Sequence, residues 1–235
     1  MKAKKWLLCL GVASLLAGAC ARSATADLYW ETESISTNVP HQPNGTSIQK
    51  YYFTSTASRV ELGGSKVFIV DYSSMELYTL DTKAKTCTHL NLTELAGLPG
   101  MAPADKQKMA EMIGSMMGIQ ITRTGELKNI AGYKCRKYKV HIAMVNGEYW
   151  VSQDVKGYKE LRCLGAKMGV IADRNPMLKQ MHVAGIVDKL GGFPVYTVNH
   201  VMGGTVESTL KKVEEKSLDP GLFTVPKDYA IKKHK

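Results

Sequence analysis

The sequence predicts a mainly antiparallel β fold with a minority of helix, an α+β domain. Two observations carry this prediction. Short segments in which apolar and polar residues alternate, separated by turn residues, run through residues 28–92 and recur after residue 119. Apolar residues at helical spacing follow Pro103 and again Gly157. The 235 residues suit one large single-sheet domain, and no repeat or low-complexity linker divides them.

The first half of the chain contains six predicted strands in succession. Brief turn segments separate them, such as Gly63-Gly64 and the stretch that begins at Asp81. The predicted strands are residues 28–36, 47–54, 57–62, 66–71, 75–80 and 85–92. Strands joined by such short turns pair with their neighbours in the chain, so these six predict an antiparallel meander.

A longer hairpin is predicted over residues 119–154. Alternate residues of its central strand are apolar, and lysine and histidine residues occupy the other face. Asn146-Gly147 is typical of a tight hairpin turn, and Ala131-Gly132 indicates a bend or bulge. The apolar face, turned towards a core or a cavity, comprises Tyr138, Val140, Ile142 and Met144.

Helical spacing marks the two segments between the strands. Pro103 suits a first helical turn and Gly118 a helix end, and the second helical segment spans residues 157–189 with a break near Asn175-Pro176. Two last strands are predicted at residues 193–202 and 205–213, followed by a turn and an extended edge segment. The first helix has an apolar stripe of Met109, Met112, Ile113 and Met116.

The methionines of that stripe allow three interpretations. They form a soft packed face, or an adaptable lining for lipid chains of varying shape, or a set of thioether ligands for copper.

Residues 1–26 have the pattern of a secretory signal. Three lysines precede the apolar run of residues 6–19, which is too short to span a bilayer, and small residues follow. Cleavage before Asp27 is one route; the other uses residues 17–20 as a lipobox, with Cys20 lipidated. We therefore expect an exported protein, with residues 27–235 as a single domain. It would lie in the periplasm, or at the outer membrane, held peripherally by its N-terminal lipid, if Cys20 is acylated.

Three cysteines follow the signal segment: Cys87, Cys135 and Cys163. In an oxidising compartment a disulfide between two of them is expected, with one thiol left over. The sequence does not choose among the three pairings. Their spacing does not fit haem attachment or structural zinc.

Charge and motifs exclude several functional classes. Of the formal charge of +10, four basic residues lie in the first 26 residues, which contain no acid, so +6 remains for the rest. That excess is spread out, without the arginine clusters or interleaved aromatic residues typical of nucleic-acid binding. It indicates a solvated surface, or attraction to anionic lipid head groups or acidic partners. No nucleotide-binding, hydrolase or zinc-protease motif is present, so we expect no enzymatic activity and no cofactor.

Several of these segments together resemble a known family. They are Ile69–Tyr72 with Met75–Asp81, Ile130–Cys135 with Glu148–Trp150, Gly192–Val195, and Phe223–Pro226 with Tyr229. The set resembles an exported bacterial family classed as a domain of unknown function, which looks related to the periplasmic lipoprotein carriers LolA and LolB. The resemblance covers most of residues 28–231. It implies an open, half-closed antiparallel β-barrel with helices as a lid or plug, and a concave face that binds an acyl chain or another hydrophobic ligand. The carriers' lid-locking arginine has no clear counterpart; Arg59 is the nearest by position.

Our main hypothesis is a non-enzymatic envelope protein that binds a lipid or a lipoprotein acyl chain in a half-barrel cavity. The alternatives are an envelope interaction or sensor protein with a filled core and a protein partner, and a methionine-rich copper-binding protein. The residues expected to line the cavity are Phe68, Tyr78, Met109, Met112, Met116 and Trp150.

Overall fold

The protein is described here by a computed structural model, which covers residues 26–40, 42–92, 108, 119–142, 145–172 and 186–232. These residues form one sheet of 12 strands and a few short helices. The helices are α1 (Tyr158–Ala172), α2 (Ile186–Leu190) and a 3-10 helix (Pro220–Phe223). The strands are β1 (Leu28–Thr37), β2 (Gly45–Phe53), β3 (Ala57–Glu61), β4 (Lys66–Asp71), β5 (Glu76–Asp81), β6 (Thr86–Asn91), β7 (Ile119–Ile130), β8 (Tyr133–Ile142), β9 (Val145–Ser152), β10 (Phe193–Val201), β11 (Gly204–Glu215) and β12 (Ala230–Lys232).

The sheet order explains how distant parts of the chain meet. Strands β1 to β6 pair consecutively and antiparallel, which confirms the predicted meander. Strand β11 pairs with the free side of β1, and β10, β9, β8 and β7 follow outward. Strand β12 adds to β6 in the parallel direction. Since β7 and β12 are the two ends of this order, the sheet is open.

The turn of the central hairpin lies elsewhere than the sequence predicts. Ile142, the last residue of β8, pairs with Val145, the first residue of β9. The predicted turn at Asn146-Gly147 is wrong: both residues lie in β9, between β8 and β10. A Cβ atom on Gly147 would lie 2.7 Å from Oδ1 of Asn199 on β10. Glycine is used here for close approach between strands, not for a turn.

The tight two-residue turn is found instead at the earlier dipeptide, between β7 and β8. Ala131 and Gly132 have φ angles of 49° and 84° and join β7 to β8 directly. Two successive positive φ angles are the geometry of a two-residue hairpin turn, so the predicted bend or bulge is in fact the turn. The irregularity of register lies instead in β7, between Arg123 and Leu127. The predicted apolar face of β8 is confirmed in its described part: Tyr138 and Val140 are 8% and 4% exposed.

The two faces of the sheet are covered by different parts of the chain. Helix α1 packs against one face, where Leu164 joins a core cluster with Leu28 and Phe193. The C-terminal segment covers the opposite face at β3 to β6. It packs Phe223, Val225 and Tyr229 against Val67, Ile69, Leu80 and Cys87. Arg59 supports this segment, because its Nη1 donates a hydrogen bond to the carbonyl of Leu222 (3.1 Å) and its Nε pairs with Glu61 (2.8 Å).

The three predicted disulfide partners are free thiols in the structure. Cys87 and Cys135 are fully buried, in separate hydrophobic clusters, and Cys163 is half-buried on α1. The predicted disulfide is therefore not formed. Burial raises the pKa of both buried thiols, so they pack as small apolar groups.

Several sequence predictions fall outside the described residues. They are the signal segment with Cys20 and the first predicted helix with its methionines, of which only Lys108 is described, in a helical conformation. The second predicted helix is observed as α1 and α2, with residues 173–185 outside the described part. None of the described helices is both long enough and apolar enough to cross a membrane.

Candidate functional site

A cavity of about 460 Å³ lies between the sheet and its two helices. Residues of β2, β1, β11, β10 and β9 form its floor, and residues of α1 and α2 line its other side. This volume is within the range of about 300–1,000 Å³ that is usual for small-molecule sites. Its main apolar lining residues are Trp30, Phe53, Leu161, Leu164, Phe193 and Leu210.

One end of the cavity is aromatic. The ring of Trp30 stacks between its neighbours on β2, with centroid distances of 4.8 Å to Tyr51 and 5.0 Å to Phe53. Phe193, which is 1% exposed, meets the Trp30 ring edge-on at 5.5 Å. Such ring pairs add about 0.5–1.5 kcal/mol each beyond the area they bury. They give this end of the cavity a rigid wall.

The sheet register explains why these rings meet. Trp30 pairs with Tyr51 on β2, and Leu28 pairs with Phe53 two residues earlier. Alternate residues of a strand lie on one face. The period-two pattern of both strands therefore puts the rings side by side once β1 and β2 are in this register.

The other end of the cavity is polar and uncharged. The Tyr51 hydroxyl donates a hydrogen bond to Oε1 of Gln49 (2.6 Å). Thr32 pairs with Gln49 in the sheet, is 9% exposed, and makes no hydrogen bond of ordinary length with any described residue through its Oγ1. The hydroxyls of Ser34 and Ser208 lie 3.1 Å apart. This polar end comprises Thr32, Gln49, Tyr51, Tyr149, Thr197, Asn199 and Ser208.

The ionisable groups at the polar end stay neutral. Burial raises the pKa of the Tyr51 hydroxyl, an effect that the nearby Thr32 hydroxyl partly opposes. Burial likewise raises the pKa of the Tyr149 hydroxyl, against a hydrogen bond with Asn199. Both tyrosines are thus phenols at any physiological pH. The lining residues that the structure describes include no acidic or basic side chain.

The three predicted lining residues that the structure describes, Phe68, Tyr78 and Trp150, are not among the residues around this cavity. Phe68 is on the same sheet face as Trp30, because the register links Tyr51 to Val60 and Val60 to Phe68, yet it is not among the residues around the cavity. Tyr78 lies on the opposite face, where its ring stacks on His89 at 5.0 Å and packs against the cluster beneath the C-terminal segment.

Trp150 is also not among the residues around the cavity. It follows the lining residue Tyr149 on β9 and is buried in the cluster that contains Phe193 and Leu164. Nζ of Lys137 lies 5.6 Å from the centre of the Trp150 ring, between Glu126 (3.3 Å) and Glu148 (3.0 Å). Met109, Met112 and Met116 are outside the described residues.

Trp30, Tyr51 and Phe53 line the cavity but are not among the predicted site residues. Their alternation along β1 and β2 marks a common face for each strand. It does not show which face carries the helices, because Tyr29 and Tyr52 form an equally aromatic pair, 4.9 Å apart, on the other face.

No metal site is found in the part of the chain that the structure describes. None of its groups of histidine, cysteine, aspartate and glutamate has the three or more members needed to hold a metal ion. Since the methionines of the copper interpretation lie outside the described residues, that interpretation stays a prediction.

Comparisons with solved structures give distant similarities. The chain is similar to PNGF-II, with 14% identity and a TM-score of 0.40; the match covers 89% of this chain, but the chain spans only 31% of that protein. It is similar to a LolA-superfamily protein from Nitrosomonas europaea, with 9% identity, a TM-score of 0.34 and coverage of 85% and 90% of the two chains. It is also similar to LprF from Mycobacterium bovis, with 11% identity, a TM-score of 0.33 and coverage of 88% and 92%.

No curated protein matches the chain. One family does: a domain of unknown function, DUF4412, matches residues 35–229. That range includes all the described strands except the start of β1 and the whole of β12. It also includes nearly all the residues that line the cavity. The resemblance to a family of unknown function is confirmed: the chain belongs to the DUF4412 family.

Proposed function

We propose that this protein is an exported, non-enzymatic envelope protein that binds a hydrophobic ligand, a lipid or a lipoprotein acyl chain. The observation that carries this proposal is the 460 Å³ cavity between the sheet and α1, with its wall of Trp30, Phe53 and Phe193. In the proposal, the open sheet acts as a half-closed barrel and α1 as part of its lid. Export rests on the signal pattern of residues 1–26, and acylation of Cys20 would hold the protein at the membrane.

The driving force of binding is the transfer of an alkyl chain out of water. Burial contributes about 0.8 kcal/mol for each methylene group, which corresponds to about a fourfold change in affinity at room temperature. The aromatic wall is already ordered by its own stacking. Little further ordering is therefore needed when a ligand enters, and less of the transfer free energy is lost.

The cavity favours this proposal over an interaction protein with a filled core. A filled core would place apolar side chains in the space beside Trp30, where the described residues leave room for a ligand. A protein partner on the outer surface is compatible with a ligand in the cavity. An experiment is therefore needed to distinguish the two roles.

The test is a chain-length series of primary alcohols from hexanol to tetradecanol, titrated into the purified mature protein. Trp30 is the reporter, in a Trp150→Phe background, because Trp30 lines the cavity and Trp150 does not. The affinity is expected to rise about fourfold with each added methylene and to level off when the cavity is full.

Two matched variants locate the binding. Val206 and Val198 are both half-buried on neighbouring strands, but Val206 lines the cavity and Val198 does not. Val206→Phe is expected to stop the rise in affinity at a shorter chain, whereas Val198→Phe leaves the series unchanged. An affinity that does not depend on chain length, or a Val198→Phe effect as large as that of Val206→Phe, contradicts the proposed function.

A further inference from the structure

The polar end of the cavity deepens the proposed function, on which this inference rests. It is an ordered feature, because four adjacent strands contribute to it in register. Thr32 on β1 pairs with Gln49 on β2, and Thr197 on β10 pairs with Ser208 on β11. Ser208 in turn pairs with Ser34 on β1, with their hydroxyls 3.1 Å apart. Each of these strands turns apolar again two to four residues further on, at Trp30, Phe53, Val195 and Leu210.

This end has hydrogen-bonding capacity that the protein does not use. The Tyr51 hydroxyl donates to Oε1 of Gln49, a half-buried lining residue whose amide N–H groups donate to no acceptor among the described residues. The Thr32 hydroxyl is buried and makes no hydrogen bond of ordinary length with a described residue. Buried polar groups are almost always hydrogen-bonded, so the Thr32 hydroxyl is an exception that a ligand would remove. A ligand oxygen in this position would accept from both the Thr32 hydroxyl and the Gln49 amide.

The charge at this end restricts the ligand further. None of the described residues around the cavity is a lysine, arginine or histidine that could pair with an anion. An ionised carboxylate moved out of water without a cation partner is strongly disfavoured, whereas an amide or ester carbonyl needs only hydrogen-bond donors.

We propose that the cavity selects ligands with an alkyl chain joined to a neutral hydrogen-bonding group, an amide, an ester or a hydroxyl. The chain packs against Trp30, Phe53 and Phe193. The carbonyl or hydroxyl oxygen accepts hydrogen bonds from Gln49 and Thr32. Free fatty acids in their ionised form are poor ligands.

The test compares three ligands with the same chain length: dodecanamide, dodecanol and dodecanoate, each titrated into the mature protein at pH 8. The amide and the alcohol are expected to bind at least about tenfold more tightly than the carboxylate, because the anion has no partner in the cavity. This comparison needs only the wild-type protein, so it holds even where a variant folds poorly.

Variants then assign the effect to the polar end. Thr32→Val and Gln49→Met keep the shape of their side chains and remove the hydrogen-bonding atoms. Together they are expected to weaken binding of the amide by about fivefold to about 150-fold, since each hydrogen bond contributes about twofold to about twelvefold in affinity. They should change the affinity for dodecanoate much less. Tyr52→Phe is the control, because Tyr52 is on the same strand but the opposite face and should change neither affinity.

The outcomes separate this inference from the proposed function. If none of the three ligands binds, the proposed function itself is overturned. If all three bind and the carboxylate binds as tightly as the amide, the cavity still binds alkyl chains but the selection for a neutral group is wrong. An amide preference that survives the Thr32→Val and Gln49→Met changes also overturns the assignment to these residues.

Discussion

The position of α1 over the cavity depends on Gly157, which precedes the first residue of the helix. Gly157 is buried, has φ +90°, and its carbonyl accepts a hydrogen bond from the N–H of Leu161 (2.9 Å). A Cβ atom added there would lie 2.6 Å from Cδ1 of Leu28 and 3.0 Å from Cγ1 of Val213. The change Gly157→Ala therefore introduces both a disfavoured backbone conformation and a steric conflict with the core.

The magnitude follows from these contributions. Holding alanine at a positive φ angle costs about 1–2 kcal/mol, and overpacking at a filled position costs about 1–3 kcal/mol. Alanine also restricts the unfolded chain, which offsets about 0.4–1 kcal/mol. We expect Gly157→Ala to lower the free energy of unfolding by about 2–4 kcal/mol.

Two other glycines in the chain isolate these contributions. Gly132 has φ +84° and open space around its Cβ position, so Gly132→Ala reports the backbone cost alone, a net loss of about 0.5–1.5 kcal/mol. Gly125 has neither a positive φ angle nor a neighbour within 4 Å. Gly125→Ala should therefore be neutral, or stabilising by up to about 1 kcal/mol.

Urea unfolding of the three variants, followed by circular dichroism, measures the series. The expected order of stability is Gly125→Ala, Gly132→Ala and Gly157→Ala, from most to least stable. A Gly157→Ala variant as stable as Gly132→Ala would refute the close packing of the start of α1 on Leu28. The lid position derived from that packing would then be wrong as well.

Two further predictions concern surface charge and thiols. The backbone N–H of Ala84 and the ion pair with Lys66 lower the pKa of Asp81 to about 2. Because this pKa is below that of Asp81 in the unfolded chain, the ionised carboxylate stabilises the folded protein above about pH 4. That stabilisation is lost as the pH falls towards about 2. Between pH 6 and pH 3, the free energy of unfolding in urea should therefore fall less for Asp81→Asn than for the wild type. An equal fall for the two proteins would contradict this role of Asp81. Iodoacetamide should modify Cys163 in the folded protein well before the buried Cys87 and Cys135, which react only after unfolding. Peptide mapping by mass spectrometry measures the order, and equal rates for the three would show that the two buried positions open readily.

Much of the sheet is determined by local pattern. The six predicted strands of the first half agree with β1 to β6 to within two residues at each end. Short turns force neighbouring strands together, so the antiparallel meander also follows from the sequence. The two last strands and the extended edge segment are likewise observed, as β10, β11 and β12.

Turn signals are less certain because glycine serves more than one purpose. Asn146-Gly147 and Ala131-Gly132 are both dipeptides that permit positive φ angles, and the sequence favours the first as the hairpin turn. The structure uses the second as the turn, and it uses Gly147 to let Asn199 approach from the neighbouring strand. That neighbour is 52 positions away along the chain, so no local pattern indicates it.

The sequence by itself determined that this chain forms an antiparallel sheet with apolar helices between its strands, because strand and helix periods are local properties. Only the tertiary structure decided which aromatic residues line the cavity. Trp30 and Tyr51 on one face, and Tyr29 and Tyr52 on the other, are equivalent in pattern. The choice is made where β11 joins β1 and brings α1 over the face that carries Trp30. The same joining aligns Thr32, Gln49, Thr197 and Ser208 into a neutral polar end, since register between distant strands is a property of the whole sheet.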